Sequence, residues 1–359
     1  MLYDLIAVLN LILILVLVAL VLFRDRQIQN KKTRHIKQQS EKSWPSHTNL
    51  DSQALDNRLL KQADDAVKFT QTFQKFVPKQ FLAHFTRSGF DSIQLGQAIE
   101  ADVSILFCDI RGFTTLAEKM PPKDLITFLN SYFYRMNDPI HENGGFIDKF
   151  IGDAIMALFD RPDSEQANNA YDAIKASSEL YRALELYNSH RKKTGYDPVR
   201  IGVGVHHGSV VIGTVGSEDR MDTTVIGDAV NVAERVEKLS AVYEVDILVT
   251  DDLLERALEK GRFAYRFVDR LKVRGREKSL DVYEILEHLA SDVIQQKLEV
   301  ARLIQSGVKH RLKSEWDLAI KEFEQAISMN PDDRLAFYHL KRCIEIKNSH
   351  IEMADINTL

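Results

Sequence analysis

Two six-residue apolar runs, 146–151 and 154–159, are separated only by Gly152-Asp153. Two turn residues between β-forming runs close a hairpin, and that places an antiparallel strand pair in the middle of the chain. Such a pair is marginal by itself in water and needs more strands or helices packed against it. The sequence supplies them on both sides. Upstream, Val103, Ile105 and Phe107 alternate as in a strand, and a helical stretch follows over 123–141. Downstream, a helix over 166–191 precedes strands over 199–206 and 210–215. A helix over 228–239, a strand over 246–249 and closing strands near 263–273 and 280–286 complete the set. This mixture predicts an α+β sandwich, a sheet with helices on one face.

Length and composition narrow the function classes. A chain of 359 residues holds one ordinary domain with attachments, and 45% hydrophobic with 28% charged residues is normal for a folded globular protein. The net charge of -5 argues against a nucleic-acid partner. Cys108 and Cys343 lie too far apart in sequence to suggest a disulfide framework or a paired-cysteine metal site, which fits a reducing cytoplasm.

Residues 5–23 are apolar except for Asn10 and carry no charge, the length of a membrane-spanning helix. No Lys or Arg precedes the run and no small-residue cleavage site follows it, so an anchor is favoured over a signal peptide. The next stretch holds Arg24, Arg26, Lys31, Lys32, Arg34, Lys37 and Lys42 against Asp25 and Glu41. Positive charge marks the cytoplasmic side, so the expectation is a single-pass protein of the cell membrane with the rest of the chain inside. Leu50, Leu55, Leu59, Ala63, Ala66, Phe69, Phe73 and Phe76 then form an amphipathic stripe that ends before Pro78. It either pairs with its twin in a dimer or packs on its own domain.

After about residue 289 the chain reads as wholly helical, and Trp316, Ala319, Phe323, Ala326 and Pro331 are spaced like one tetratricopeptide repeat. One such unit must bury its apolar face on the main domain or on a protein partner. The expected organisation is an anchor over 1–23, a basic flank and connecting helix over 24–76, a catalytic domain over 77–288 and a helical tail over 289–359.

Two carboxylates carry the chemistry. Asp109 stands at the end of the first strand, before Gly112 turns the chain into a helix whose free N–H groups can cradle phosphate. Asp153 stands at the hairpin tip. Either aspartate alone reads as a turn former. If the hairpin lies beside the first strand, both converge on one site, and carboxylate oxygens suit Mg²⁺.

Asp109-Ile110-Arg111-Gly112-Phe113-Thr114 and the run from Gly144 to Ala157 resemble the two metal-binding segments of class III nucleotidyl cyclases. Thr224-Val225-Ile226-Gly227-Asp228-Ala229-Val230-Asn231-Val232-Ala233-Glu234-Arg235 resembles that family's transition-state helix. The resemblance implies a ferredoxin-like α/β sandwich that converts ATP to cyclic AMP and pyrophosphate. It implies two Mg²⁺ or Mn²⁺ held by Asp109, Asp153 and the Ile110 carbonyl, with Gly112, Phe113 and Thr114 at the phosphates. By the same resemblance Lys149 and Thr224 read the purine, Asn231 orients the ribose, and Arg235 neutralises charge at the α-phosphate. Arg274 matches a lysine that binds the terminal phosphates. It further implies a homodimer with shared sites, metals and phosphates on one protomer and Lys149, Thr224, Asn231 and Arg235 from the other.

There are departures and rivals. Thr224 stands where many animal enzymes have aspartate, as in the subgroup called class IIIb, and Glu234 stands where a small residue is usual. A guanylate cyclase usually has glutamate at the position of Lys149, and the Gly-Gly-Asp/Glu-Glu-Phe signature of diguanylate cyclases is absent. An inactive dimerising scaffold would have lost a metal aspartate, Asn231 or Arg235; all are present. The neighbouring His206 and His207 fall on opposite faces of a strand, which disfavours a metal pair.

Overall fold

The computed structural model describes residues 60–65, 67–69, 72, 95–161, 166–217, 219–272 and 279–349. The chain divides into two compact units, Met1–Thr72 and Phe73–Leu359. In the first, residues 60–65 and 67–69 are helical and exposed, which covers part of the amphipathic stripe. The apolar run 5–23 and the basic flank after it lie outside the described residues.

The expected single-pass membrane location is corrected by the fold. Among the described residues no helix is long and apolar enough to cross a membrane. The longest ones bury one face against protein and carry charge on the other; the 28-residue helix Gln166–Lys193 ends in His190, Arg191, Lys192 and Lys193.

The second unit is built on one eight-stranded sheet. Its strands are β1 (Ala98–Ile110), β2 (Phe146–Ile151), β3 (Ala154–Phe159), β4 (Ile201–Gly216), β5 (Met221–Ile226), β6 (Ile247–Thr250), β7 (Tyr265–Leu271) and β8 (Leu280–Ile285). They run in the order β2-β3-β1-β4-β6-β8-β7, with β5 paired to β4. Among the described residues only β4 and β6 pair in parallel, and the crossover that joins them contains β5 and a helix. The helices are α1 (Phe113–Glu118), α2 (Pro122–Glu142), α3 (Gln166–Lys193), α4 (Asp228–Val242), α5 (Asp251–Leu258), α6 (Ser291–Leu312), α7 (Trp316–Met329) and α8 (Arg334–Ser349).

The hairpin forms over the predicted residues, β2 pairing β3. The two strands expected over 199–206 and 210–215 are instead one, β4, because β1 pairs with it without interruption from Ala98↔Gly213 to Ile110↔Ile201. Gly208 in its middle is not a turn. A Cβ there would lie 2.8 Å from the Ala229 Cβ, so the glycine admits α4 to the sheet surface.

Helices cover both faces of the sheet, where one was expected. Leu106, Cys108 and Ile110 of β1 share a core with Phe128, Tyr132 and Met136 of α2 and Ile174 and Leu180 of α3. Val103, Ile105 and Phe107, on the other side of the strand, share one with Ala229 and Ala233 of α4. A strand apolar on both faces has to be covered on both. Cys108 and Cys343 are buried free thiols.

The C-terminal helices dock on the main domain. Val300 and Ile304 of α6, Ala326 of α7 and Leu335 and Ala336 of α8 share a core with Val268 of β7 and Val232 and Val236 of α4. Arg266 in β7 donates from Nε to Glu284 Oε2 at 2.6 Å and from both terminal nitrogens to Asp333, all of them buried. Removing one partner from such a network costs about 3–5 kcal/mol, because the others stay buried and uncompensated.

Candidate active site

The end of β1 and the tip of the β2–β3 hairpin come together. The Ile110 backbone N–H donates to Asp109 Oδ1 at 2.9 Å and to Asp153 Oδ2 at 3.2 Å. Two carboxylates from positions 44 residues apart thus face one amide. Burial, then the hydrogen bond and like charge of Asp109, pushes the Asp153 carboxyl up to about 7. Crowding of two acid groups in a partly buried place is the donor chemistry that a hard divalent cation relieves, so these residues fit one. Among the described residues no cluster of three or more His, Cys, Asp or Glu side chains could hold a metal, so a complete shell would need main-chain or ligand oxygens.

Gly112 follows at φ 68°, a left-handed conformation that favours glycine, and stands at the N-cap of α1. No side chain caps α1 and its first turn has no acidic residue, which leaves the first N–H groups of Phe113 and Thr114 without an acceptor from a cap.

The β2 register slips between Ile147 and Lys149, a bulge that leaves Asp148 outside the pairing and sets Lys149 opposite Met156. Bulges of this kind re-aim a side chain. Lys149 Nζ donates to Thr224 Oγ1 of β5 at 2.8 Å and lies 3.5 Å from Asp148 Oδ2. Burial pushes the Asp148 carboxyl up to about 6, and the charge of Lys149 works against that rise.

Asn231 and Arg235 are one helical turn apart on the exposed side of α4. Glu234 pairs with Lys238 along the same helix, an exposed i,i+4 contact. Arg274 lies outside the described residues. His206 bonds Thr250 Oγ1 at 2.9 Å and His207 bonds Ser104 Oγ at 3.0 Å, so the two rings serve the sheet.

Two residues to which the resemblance gave no role, Arg111 inside the first motif and Glu237 beyond the third, lie behind the carboxylates. Arg111 donates to Ser240 Oγ at 2.8 Å and to the Val245 carbonyl at 3.0 Å, tying the loop after Asp109 to the end of α4. Glu237 of α4 is buried; burial first, then the charge of Asp109, pushes its carboxyl up to about 7, with Arg111 opposing. A Cβ on Gly202 would sit 2.6 Å from the Arg111 guanidinium and 2.7 Å from Glu237 Oε1, and one on Gly204 would sit 2.1 Å from the Glu237 backbone nitrogen. Glycines inside a strand are the signal that could have found this close approach.

The family model for the adenylate and guanylate cyclase catalytic domain matches residues 97–287. The adenylate cyclase of Anabaena cylindrica is 41% identical over 223 residues, 61% of this chain and 43% of that protein. The terminal-differentiation-specific adenylate cyclase of Dictyostelium discoideum is 35% identical over 304 residues, 84% of this chain and 14% of that protein. That second likeness extends outside residues 97–287. The chain therefore spans less than half the length of these curated relatives. A bacterial light-regulated adenylyl cyclase has a similar fold, with a TM-score of 0.56 at 24% identity over 70% of this chain and 71% of that one.

Proposed function

Because the chain belongs to the adenylate and guanylate cyclase catalytic domain family, we propose that it is an adenylate cyclase that converts ATP to 3′,5′-cyclic AMP and pyrophosphate. The observation that carries this reading is the 2.8 Å hydrogen bond between Lys149 and Thr224. An ammonium donates to an acceptor such as adenine N1, and a hydroxyl can accept from the adenine amino group. The pair offers a donor and an acceptor of the kind that reads a purine edge.

Asp109, Asp153 and the Ile110 carbonyl hold two Mg²⁺ or Mn²⁺ in this reading. Bound there, the cations supply positive charge to the triphosphate and acidify the ribose 3′-hydroxyl. Gly112, Phe113 and Thr114 offer main-chain N–H groups to phosphate oxygens, and Arg274 adds charge at the terminal phosphates. Asn231 orients the ribose. Arg235 stabilises the charge that develops at the α-phosphate as the 3′-oxygen attacks and pyrophosphate leaves.

The working form is a homodimer with two shared sites, Asp109 and Asp153 of one protomer facing Lys149, Thr224, Asn231 and Arg235 of the other. Exposed apolar side chains support it: Phe150 and Ile151 at the hairpin, and Val211, Val215, Met221 and Ile226 on β4 and β5. We assign the catalytic domain to 77–288 and the helical tail, with one tetratricopeptide-like unit around α7, to 289–359.

The test is one assay. The purified chain is incubated with ATP or GTP and Mg²⁺ or Mn²⁺, and the cyclic nucleotide is measured. Cyclic AMP from ATP supports the proposal; dominant cyclic GMP makes it a guanylate cyclase, and no product from either makes it a scaffold.

A further inference from the structure

The surface of α4 that carries Asn231 and Arg235 is exposed, its opposite surface, with Ala229 and Ala233, packs on the sheet, and one flank reaches the core of the C-terminal helices. Val232 and Val236 lie in one core with residues of α6, α7 and α8. The helix ends at Tyr243, which is 2% exposed and donates from its hydroxyl to Asp269 Oδ2 of β7 at 2.8 Å. The other Asp269 oxygen accepts from the Arg311 guanidinium of α6, and both side chains are buried. Tyr338 of α8 meets the Tyr243 ring edge-on with centroids 5.0 Å apart. The adjacent His339 bonds the Val268 carbonyl from Nε2 at 3.0 Å.

The next residue, Glu244, has φ 53°. That is the left-handed position that closes many helix ends, and here the Val245 N–H donates to the Ser240 carbonyl at 2.9 Å and the Glu244 N–H to the Ala241 carbonyl at 3.3 Å. Side chains hold this helix end from two sides. Arg111, from the loop after Asp109, bonds Ser240 and the Val245 carbonyl on one side, and Asp269, Arg311 and Tyr338 hold Tyr243 on the other.

We infer that the three C-terminal helices are a clamp on the catalytic helix α4, and that Tyr243 is the positioning residue through which α6 and α8 set the place of Asn231 and Arg235. This rests on the cyclase reading given above. A buried Asp269–Arg311 pair does not come apart cheaply, since either partner alone is an uncompensated buried charge. The tail therefore moves with α4. A rigid clamp matters because groups that act in the transition state lose most of their effect when displaced by about an ångström.

The consequence is a split in the kinetics. In this reading the purine and the triphosphate are held by Lys149, Thr224 and the carboxylate loop, while Asn231 and Arg235 on α4 act chiefly on the ribose and α-phosphate as the transition state forms. Loosening α4 therefore acts on turnover more than on binding. Deleting the tail would expose the core it shares with the sheet, so point variants are the sharper tool. In the full-length chain, Tyr243→Phe removes the bond to Asp269 and keeps the ring on Tyr338, while Asp269→Asn removes the charge. Lys347→Ala, which breaks an exposed tail ion pair with Asp317, is the control.

Tyr243→Phe and Asp269→Asn are expected to lower kcat roughly tenfold with KM for ATP within about twofold, and Lys347→Ala to change neither. Amide hydrogen exchange on the same proteins is expected to quicken in α4 and not in β1–β3. An unchanged kcat in folded Tyr243→Phe and Asp269→Asn overturns the clamp. If the unaltered chain makes no cyclic nucleotide, the cyclase reading fails, and the exchange measurement alone decides the clamp: unaltered α4 protection in both variants overturns it.

Discussion

Lys149 and Thr224, 75 residues apart in sequence, share a 2.8 Å hydrogen bond from ammonium to hydroxyl. In the proposed adenylate cyclase reading, a purine entering between them would exchange that bond for two of its own. Lys149→Glu turns the donor into an acceptor. Loss of a buried polar match costs about 1–3 kcal/mol, so the ratio of ATP to GTP turnover should fall roughly ten- to a hundredfold. Initial rates with both nucleotides check this; an unchanged ratio removes the pair from base reading.

Asp109 and Asp153 crowd one amide, and the elevated Asp153 carboxyl reports the conflict. Asp109→Ala or Asp153→Ala should cut turnover on the order of a hundredfold or more. In the absence of divalent metal the same variants should melt no earlier than the unaltered chain, since each relieves like-charge repulsion. Calorimetry with and without Mn²⁺ separates the effects. A variant that keeps most of its activity would remove that aspartate from metal binding.

If the sites are shared, Asp109→Ala and Arg235→Ala proteins are each inactive and regain activity on mixing, because their heterodimer holds one intact site. Activity is measured before and after mixing, with heterodimer formation followed by two different affinity tags. Tagged heterodimer without activity would make each chain self-sufficient.

Burial lowers His207 and His339 from 6.5 to about 4, so both are neutral in the folded protein. The unfolded chain then binds more protons in that window. The stability they contribute is fully present above pH 6.5 and is lost as pH falls toward 4, roughly 3 kcal/mol for each ring. Urea unfolding at pH 7 and pH 4.5 measures the slope. His339→Gln, which can still donate to the Val268 carbonyl, should flatten it, and a slope unaffected by that change would mean that other groups set the acid limit.

Local pattern was enough for much of this. Gly152-Asp153 between two apolar runs determined the hairpin, because a two-residue turn sets the register of the strands next to it; the bulge farther along β2 was not legible there. The motifs around Asp109 and Asp153 resemble metal-binding segments, and the structure brings the two side chains onto one N–H, as expected if the hairpin lies beside the first strand. Helix α5 was missed although Thr250-Asp251-Asp252 marks a helix start. Other features were beyond any local window. Where the chain passes from one strand to the next is decided by its partner, so only the unbroken pairing with β1 shows that β4 is one strand. The expected membrane location came from a terminal run outside the described residues, and no described helix supports it.

The sequence alone also determined that a tail with apolar helical spacing had to be covered by something, since a short amphipathic helical segment cannot bury its own apolar face. Tertiary structure decided that the cover is the sheet and α4. Buried charges such as Arg266, Asp269 and Arg311 look like surface residues in a sequence. They become interior only when partners from β7, β8 and the C-terminal helices meet them, and that compensation exists only in the folded chain.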